Sequence, residues 1–429
     1  MSALPIHPIS HPLEGTIRVP GSKSVTNRAL LLAALCDGPS KLEGALFSDD
    51  TRYMEGALNT LGVAVRGDER AQTYEIDGRG GSFPNPEAEL FLGNAGTATR
   101  FLTAALCLGN GVYLVDGIAR MRQRPIGDLL GALRVLGAEI LSSGDCVPLE
   151  IRASGLRGGK VSLRGDASSQ FLSALLLIAP KTRDGLEIEI DGPLFSKPYV
   201  EMTLKMLEQW GATSTNEDLA RFKIAGNQTL RAQNFLIEPD ASSAGYFFAA
   251  AALTGGKIRV KNLGKDALQG DVAFVDVLAQ MGCVVKKAKN FLEVVGPSDG
   301  KLRGVSVDMN AISDCVPTLA AIAPFADAPV EIKNVAHIRG KETDRIAALI
   351  AELMRLGVKV EEKPDGLTIF PAKKLKRAAI KTYDDHRMAM SFAVTALKSP
   401  GIEIRDPGCV AKTFPDFFER LEKLCAKAR

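Results

Sequence analysis

Tryptophan occurs once, at Trp210, and aromatic residues make up only 6% of the 429 residues. That scarcity argues against a surface built to stack nucleic-acid bases. Excess charge is also missing: 53 basic residues face 50 acidic ones, leaving a formal net charge of +3. A general nucleic-acid binder carries a stronger basic footprint. Histidine is rare, with only His7, His11, His337 and His386, and none falls in an HExxH spacing. The seven cysteines include no CxxC pair. No metal site is therefore expected, and the cysteines read as small buried thiols of a reducing compartment. No apolar run approaches the length of a membrane span. The opening "MSALPIHPISHPLEG" lacks a basic-then-apolar signal pattern. A soluble cytoplasmic protein without nucleic-acid or membrane partners is the expectation.

A periodic pattern is present instead. Small polar residues run into an apolar helix at "PGSKSVTNRALLLAAL", "GNAGTATRFLTAALCL", "DASSQFLSALLLIAP", "PDASSAGYFFAAAALTG", "DMNAISDCVPTLAAIAP" and "DDHRMAMSFAVTALK". Between them lie amphipathic helices, most ending in Gly before a strand, such as "RPIGDLLGALRVLGAEI" and "ETDRIAALIAELMRLGVKV". Apolar residues spaced by three and four predict one buried face, and the Gly a left-handed cap. The first helix of each unit is apolar nearly all round, so it must be buried. The reading is helix, strand, helix and hairpin-like strands, used six times. Six units make two domains, with a cut near Pro239. The early strand "LEGTIRVPG" completes the second domain's sheet. The boundaries are 21–239 for the N-terminal domain, and 1–20 with 240–429 for the C-terminal one. A small-molecule site is expected in a cleft between two such domains.

Polar residues collect where the buried helices begin. "GSKSVTNRAL" offers Lys23, Ser24 and Arg28; "ARMRQRPIG" offers Arg120, Arg122 and Arg124; "DASSQF" offers Ser168, Ser169 and Gln170. "SKPY" offers Ser196 and Tyr199, "RGKETDR" offers Lys341, Glu342 and Arg345, and "DDHRMAM" offers Asp385, His386 and Arg387. "AKTFPD" adds Lys412, and "AISDCVP" places Asp314 either as a helix cap or as a functional carboxylate. Lys341 and Arg345, read as four apart on one helix, repel unless an anion sits between them. Glu342 is either an ion-pair partner, with Lys341 beside it, or an acid among cations that moves protons. "LFLGNAGTATR" admits two readings as well: a tight turn capped by Thr97, or a helix start kept bare at Gly96 for an anion. Cations gathered at helix starts point to a small substrate, or a pair, bearing several negative charges.

Together, "PGSKSVTNRAL", "LFLGNAGTATR", "RPIG", "DASSQFL", "SKPY", "KETDR", "DDHRMAM" and "KTFPD" resemble the 5-enolpyruvylshikimate-3-phosphate synthase family, in order and over the whole chain. The resemblance implies an α/β enolpyruvyl transferase fold of two domains, each of three βαβαββ units, with the substrates in a cleft between them. It implies transfer of the enolpyruvyl group of phosphoenolpyruvate to the 5-hydroxyl of shikimate 3-phosphate, with no cofactor. It places phosphoenolpyruvate on Lys23, Asn94, Gly96, Arg124, Gln170, Arg345, Arg387 and Lys412. It places shikimate 3-phosphate on Lys23, Ser24, Arg28, Ser168, Ser169, Gln170, Ser196, Tyr199, Asp314, His337 and Lys341. Asp314, Glu342, Lys23 and His386 are the implied catalytic residues. The "LFLGNAGTA" form resembles the class inhibited by glyphosate, and the implied state is a monomer. His337 stands where the family often has Asn, Phe101 where Pro is common, and Gly340 where Val is usual. The same donor and fold serve UDP-N-acetylglucosamine enolpyruvyl transferase, but that family's reactive Cys is absent between Asp116 and Arg124. A non-catalytic phosphometabolite binder is the remaining alternative.

Overall fold

In the computed structural model, which describes residues 3–426 and 428, twelve α-helices alternate with short strands. The helices are α1 (Lys23–Leu35), α2 (Asp49–Thr60), α3 (Gly96–Leu106), α4 (Gly127–Val135), α5 (Ser169–Ile178) and α6 (Lys197–Gln209). They continue as α7 (Ala241–Thr254), α8 (Phe274–Gln280), α9 (Val316–Ile322), α10 (Arg345–Arg355), α11 (His386–Ala396) and α12 (Phe417–Cys425). The chain divides into two compact units, one of Gly21–Glu238 and one of Met1–Pro20 with Pro239–Arg429. The ends Met1, Ser2, Lys427 and Arg429 lie outside the described residues.

The odd-numbered helices are the apolar ones. Every residue of α3 and α11 is buried, and in α7 all but the last. A helix without a polar face is stable only when surrounded, so these form the centre of each unit. The even-numbered helices bury one stripe each. Five of them (α2, α4, α6, α8 and α10) end before a left-handed glycine: Gly62, Gly137, Gly211, Gly282 and Gly357. That conformation closes the helix and turns the chain into the next strand.

Each unit carries three small sheets built to one pattern. In the N-terminal unit, strand Glu87–Phe91 runs parallel to Asn110–Asp116, which pairs antiparallel with Leu149–Ser154, itself paired with Glu139–Ser142. Strand Gly159–Arg164 heads a second such sheet. The third exchanges its first strand: Asn234–Leu236, which precedes α7, pairs with Asp37–Glu43 beyond α1. Strand Glu14–Ile17, which precedes α1, conversely pairs with Lys257–Lys261 beyond α7 in the C-terminal unit. Both crossings are tied within their units: Ser22 N–H donates to Glu238 O, and Asp240 N–H to Pro20 O, each at 2.8 Å. The sixth sheet departs from the repeat. It holds three strands, with Ala3–Ile6 on Ile402–Arg405 where the other sheets place a hairpin.

Candidate active site

In the N-terminal unit the starts of several helices converge on Arg28. Its first turn is capped by Ser22, whose hydroxyl accepts from Val25 N–H at 3.3 Å. Arg28 reaches across three helices. Nε donates to Thr203 Oγ1 at 2.8 Å, and Nη2 to Ser173 Oγ at 3.1 Å and Tyr199 O at 3.2 Å. Nη1 donates back to Ser24 O at 3.0 Å. Below it lies the Phe101 ring, 5.1 Å from the guanidinium carbon. These partners are neutral. Burial therefore dominates and lowers the arginine pKa to about 10, with only Tyr199 opposing. Lys23 differs: its ammonium lies 3.3 Å from the buried Asp50 carboxylate.

The glycine-rich turn divides into two roles. Gly93 has φ +55°, and the Tyr53 ring packs where its Cβ would stand, so it serves the backbone. A Cβ at Gly96 would lie 2.5 Å from Arg124 Nη2. Arg124 in turn donates from Nη1 to both Asn94 O and Asn94 Oδ1 at 3.1 Å. Thr97 does not cap this helix. The cap position is Ala95, without a side-chain hydrogen bond, and Thr97 Oγ1 accepts from Gln170 Nε2 at 3.2 Å. Ser168 caps α5 by accepting from Gln170 N–H at 3.2 Å, with Ser169 buried beside it. Ser196 sits left-handed at the start of α6. Arg122 joins none of this and pairs with Asp116 on the surface.

The C-terminal unit gathers acids with its cations. Arg345 opens α10, and its Nε donates to Asp385 Oδ2 at 2.8 Å, Nη1 to Asp314 Oδ1 at 3.1 Å and Nη2 to Glu342 Oε2 at 2.8 Å. Burial opposes its charge, but Asp385, Glu342 and Asp314 outweigh it and its pKa is raised. Arg387 donates from Nη2 to Asp314 Oδ2 at 2.6 Å and from Nη1 to Tyr246 OH at 3.4 Å. Lys412 Nζ lies 3.7 Å from Glu342 Oε1. Asp385 caps α11, accepting from Arg387 N–H at 2.9 Å. The buried His386 has Nδ1 3.8 Å from Asp385 Oδ1, beyond a hydrogen bond.

Three sequence readings change here. Lys341 and Arg345 do not share a helix, because α10 begins at Arg345 and Lys341 ends the preceding short turn Ala336–Gly340. Arg345 needs no anion to relieve repulsion, since three carboxylates surround it. Glu342 is an ion-pair partner, of Arg345 and Lys412. Asp314 is not a helix cap: it bridges two guanidinium groups, one on each oxygen. His337 is half-buried, and burial followed by the Lys341 charge lowers its pKa to about 4, so it is neutral near pH 7. Asp50, Tyr246 and the bridging role of Asp385 escaped the sequence reading. For Asp385 the signal was its cap position; Asp50 looked only like a first-turn acid, and Tyr246 like core. Among the described residues, no group of three or more His, Cys, Asp or Glu is disposed to hold a metal, and no helix is long and apolar enough to cross a membrane.

Known proteins resemble this chain over its whole length. The sequence model of the family described as EPSP synthase (3-phosphoshikimate 1-carboxyvinyltransferase) matches residues 8–421. A protein of Trichormus variabilis named 3-phosphoshikimate 1-carboxyvinyltransferase is 49% identical over 426 residues, 99% of each chain. One of the same name from Proteus mirabilis is 47% identical over 428 residues, 99% of each chain. Among solved structures, EPSP synthase from Acinetobacter baumannii superposes with a TM-score of 0.81 at 26% identity, covering 100% of this chain and 98% of that one. On both sequence and fold, the chain belongs to the EPSP synthase family.

Proposed function

We propose that the protein transfers the enolpyruvyl group of phosphoenolpyruvate to the 5-hydroxyl of shikimate 3-phosphate and releases phosphate. The observation that carries this is the cluster of Arg345, Arg387 and Lys412 locked to Asp314 and Glu342, which puts anion-binding cations and proton-moving acids within reach of one another. Phosphoenolpyruvate, a carboxylate and phosphate in one molecule, takes Lys23, Arg124, Arg345, Arg387 and Lys412, with Asn94, Gly96 and Gln170. Shikimate 3-phosphate takes Lys23, Ser24, Arg28, Ser168, Ser169, Gln170, Ser196, Tyr199, Asp314, His337 and Lys341.

The 5-hydroxyl attacks C2 of phosphoenolpyruvate, and the Asp314 carboxylate takes its proton. Glu342 delivers a proton to C3, assisted by His386. The tetrahedral adduct then loses phosphate and a C3 proton, giving the enolpyruvyl ether. Lys23 and the guanidinium groups hold the charge that moves from ester to leaving phosphate.

Glyphosate, an anion with an added amine, is proposed to compete with phosphoenolpyruvate at Arg124 and Gly96. The working state is a monomer, since both residue sets are complete within one chain. A cytoplasmic location fits seven cysteines that are all free thiols. The test is phosphate release with both substrates, repeated without shikimate 3-phosphate. Release only in the full mixture is expected; equal release without the acceptor overturns the assignment.

A further inference from the structure

Glu352 is a carboxylate with 0% exposure on the face of α10 two turns beyond Arg345, and the reaction has no use for it. Among the described residues, one charged group pairs with it. Arg355, itself 41% exposed, donates from Nε to Oε2 at 2.9 Å and from Nη2 to Oε1 at 3.4 Å. The remaining bonds go to a single short segment. Lys381 N–H donates to Oε2 at 3.1 Å, and Tyr383 OH donates to Oε1 at 2.7 Å.

That segment is a strained turn. Asp385 N–H donates to Thr382 O at 2.9 Å, closing four residues whose two central members are both left-handed, Tyr383 at φ +56° and Asp384 at φ +54°. Consecutive left-handed residues that are not glycine are costly, above all with a bulky side chain. The conformation persists only where its surroundings over-determine it. Glu352 supplies that constraint from one side. Arg345, on the same helix, supplies it from the other by binding Asp385 Oδ2 at 2.8 Å. Directly after the turn come Asp385, His386 and Arg387.

We infer that Glu352 is a positioning residue: through Lys381 and Tyr383 it sets the left-handed turn that holds Asp385 on Arg345 and aims Arg387 at phosphoenolpyruvate. α10 then works as a two-point clamp, with Arg345 gripping Asp385 and Glu352 gripping the turn. The inference rests on the reading that Arg387 binds phosphoenolpyruvate. Its electrostatic logic is simple, since a buried carboxylate held by a backbone N–H and a phenol has few alternative arrangements.

The experiment is steady-state kinetics with each substrate varied, on Glu352→Gln, Tyr383→Phe and Arg387→Gln, with thermal unfolding in parallel. Tyr383 is 37% exposed, so losing its hydroxyl leaves the fold intact even if Glu352→Gln does not accumulate. Tyr383→Phe is expected to raise KM for phosphoenolpyruvate by roughly three- to tenfold, with KM for shikimate 3-phosphate within about twofold. Glu352→Gln is expected to do more, and the double variant to do less than the product of the two. Unchanged phosphoenolpyruvate KM in Tyr383→Phe overturns the inference if Arg387→Gln raises it. If Arg387→Gln leaves it unchanged too, the fault lies in the phosphoenolpyruvate assignment. Equal rises in both KM values also overturn it, because a merely loosened fold does not choose between substrates.

Discussion

Arg28 in the N-terminal unit and Arg345 in the C-terminal unit are 2% and 1% exposed, yet their surroundings differ in charge. Arg28 meets hydroxyls, carbonyls and an aromatic face. Arg345 meets three carboxylates. A buried cation among neutral partners has lost its water without gaining a counter-charge. On the proposed reading it is a binding device for an anion. A cation among carboxylates is already compensated, and its value lies in holding those acids in fixed geometry. On the proposed reading, Arg28 receives charge, while the Arg345 cluster holds the acids that move protons.

The largest effect should come from the side that moves protons. Asp314→Asn keeps the shape and one guanidinium contact, turns an amide N–H donor towards the other guanidinium, and removes the proton acceptor. Turnover is expected to fall by about 10²–10⁴-fold. Because one negative charge leaves a balanced cluster, KM for phosphoenolpyruvate should stay level or fall. Kinetics with each substrate varied checks this, and near-normal turnover with a raised KM would dissolve the contrast between the units.

Gly96→Ala probes the receiving side. The new methyl meets the Arg124 guanidinium before anything else, at 2.5 Å from Nη2. Arg124 must then leave Asn94 or tilt. KM for phosphoenolpyruvate should rise roughly tenfold with turnover largely kept, and glyphosate should inhibit more weakly. Inhibition unaltered by the substitution would mean that the Arg124 contact does not shape this pocket. The bulk of Phe101 is no obstacle, since its ring is buried under Arg28.

Much of this was legible because it is local. Glycines after the amphipathic helices, and the all-apolar helices, follow from neighbours a few residues away. That the strand before Pro20 completes the second domain's sheet was legible from the repeat; the reciprocal pairing of Asn234–Leu236 was not read. What could not be read was partner choice over long separations. Nothing near "RGKETDR" says that Arg345 faces Asp314 and Asp385, or that its neighbour Lys341 stays outside the helix. Phe101 likewise finds Arg28 only through the packing of α1 against α3. Thr97 was misplaced as a cap because a Thr one residue inside a helix resembles one at its edge.

A smaller effect concerns His337. Its folded pKa of about 4 lies below the ordinary 6.5, so the fold favours the neutral ring. That contribution is whole above pH 6.5 and is lost as pH falls to about 4. His337→Asn should remove part of the acid-side loss of stability, at most about 3 kcal/mol from the size of the shift. It should leave the turnover profile between about pH 6 and 8 unchanged. Unfolding at several pH values reads the first, and a turnover inflection near pH 6.5 that disappears in the variant would contradict the second.

The two arginines themselves give the most direct test. Arg28→Met and Arg345→Met are compared by thermal unfolding and by calorimetric titration with shikimate 3-phosphate. Arg28→Met leaves Thr203 Oγ1 and Ser173 Oγ 3.0 Å apart, still bonded to each other, and buries no orphaned charge. Its stability should be equal or higher, while affinity for shikimate 3-phosphate falls roughly 10- to 100-fold. Arg345→Met strands the fully buried Asp385 and should cost about 3–5 kcal/mol of stability. Opposite outcomes of this kind support a receiving unit and a compensated one. Equal destabilisation by the two substitutions, or full shikimate 3-phosphate affinity in Arg28→Met, would contradict it.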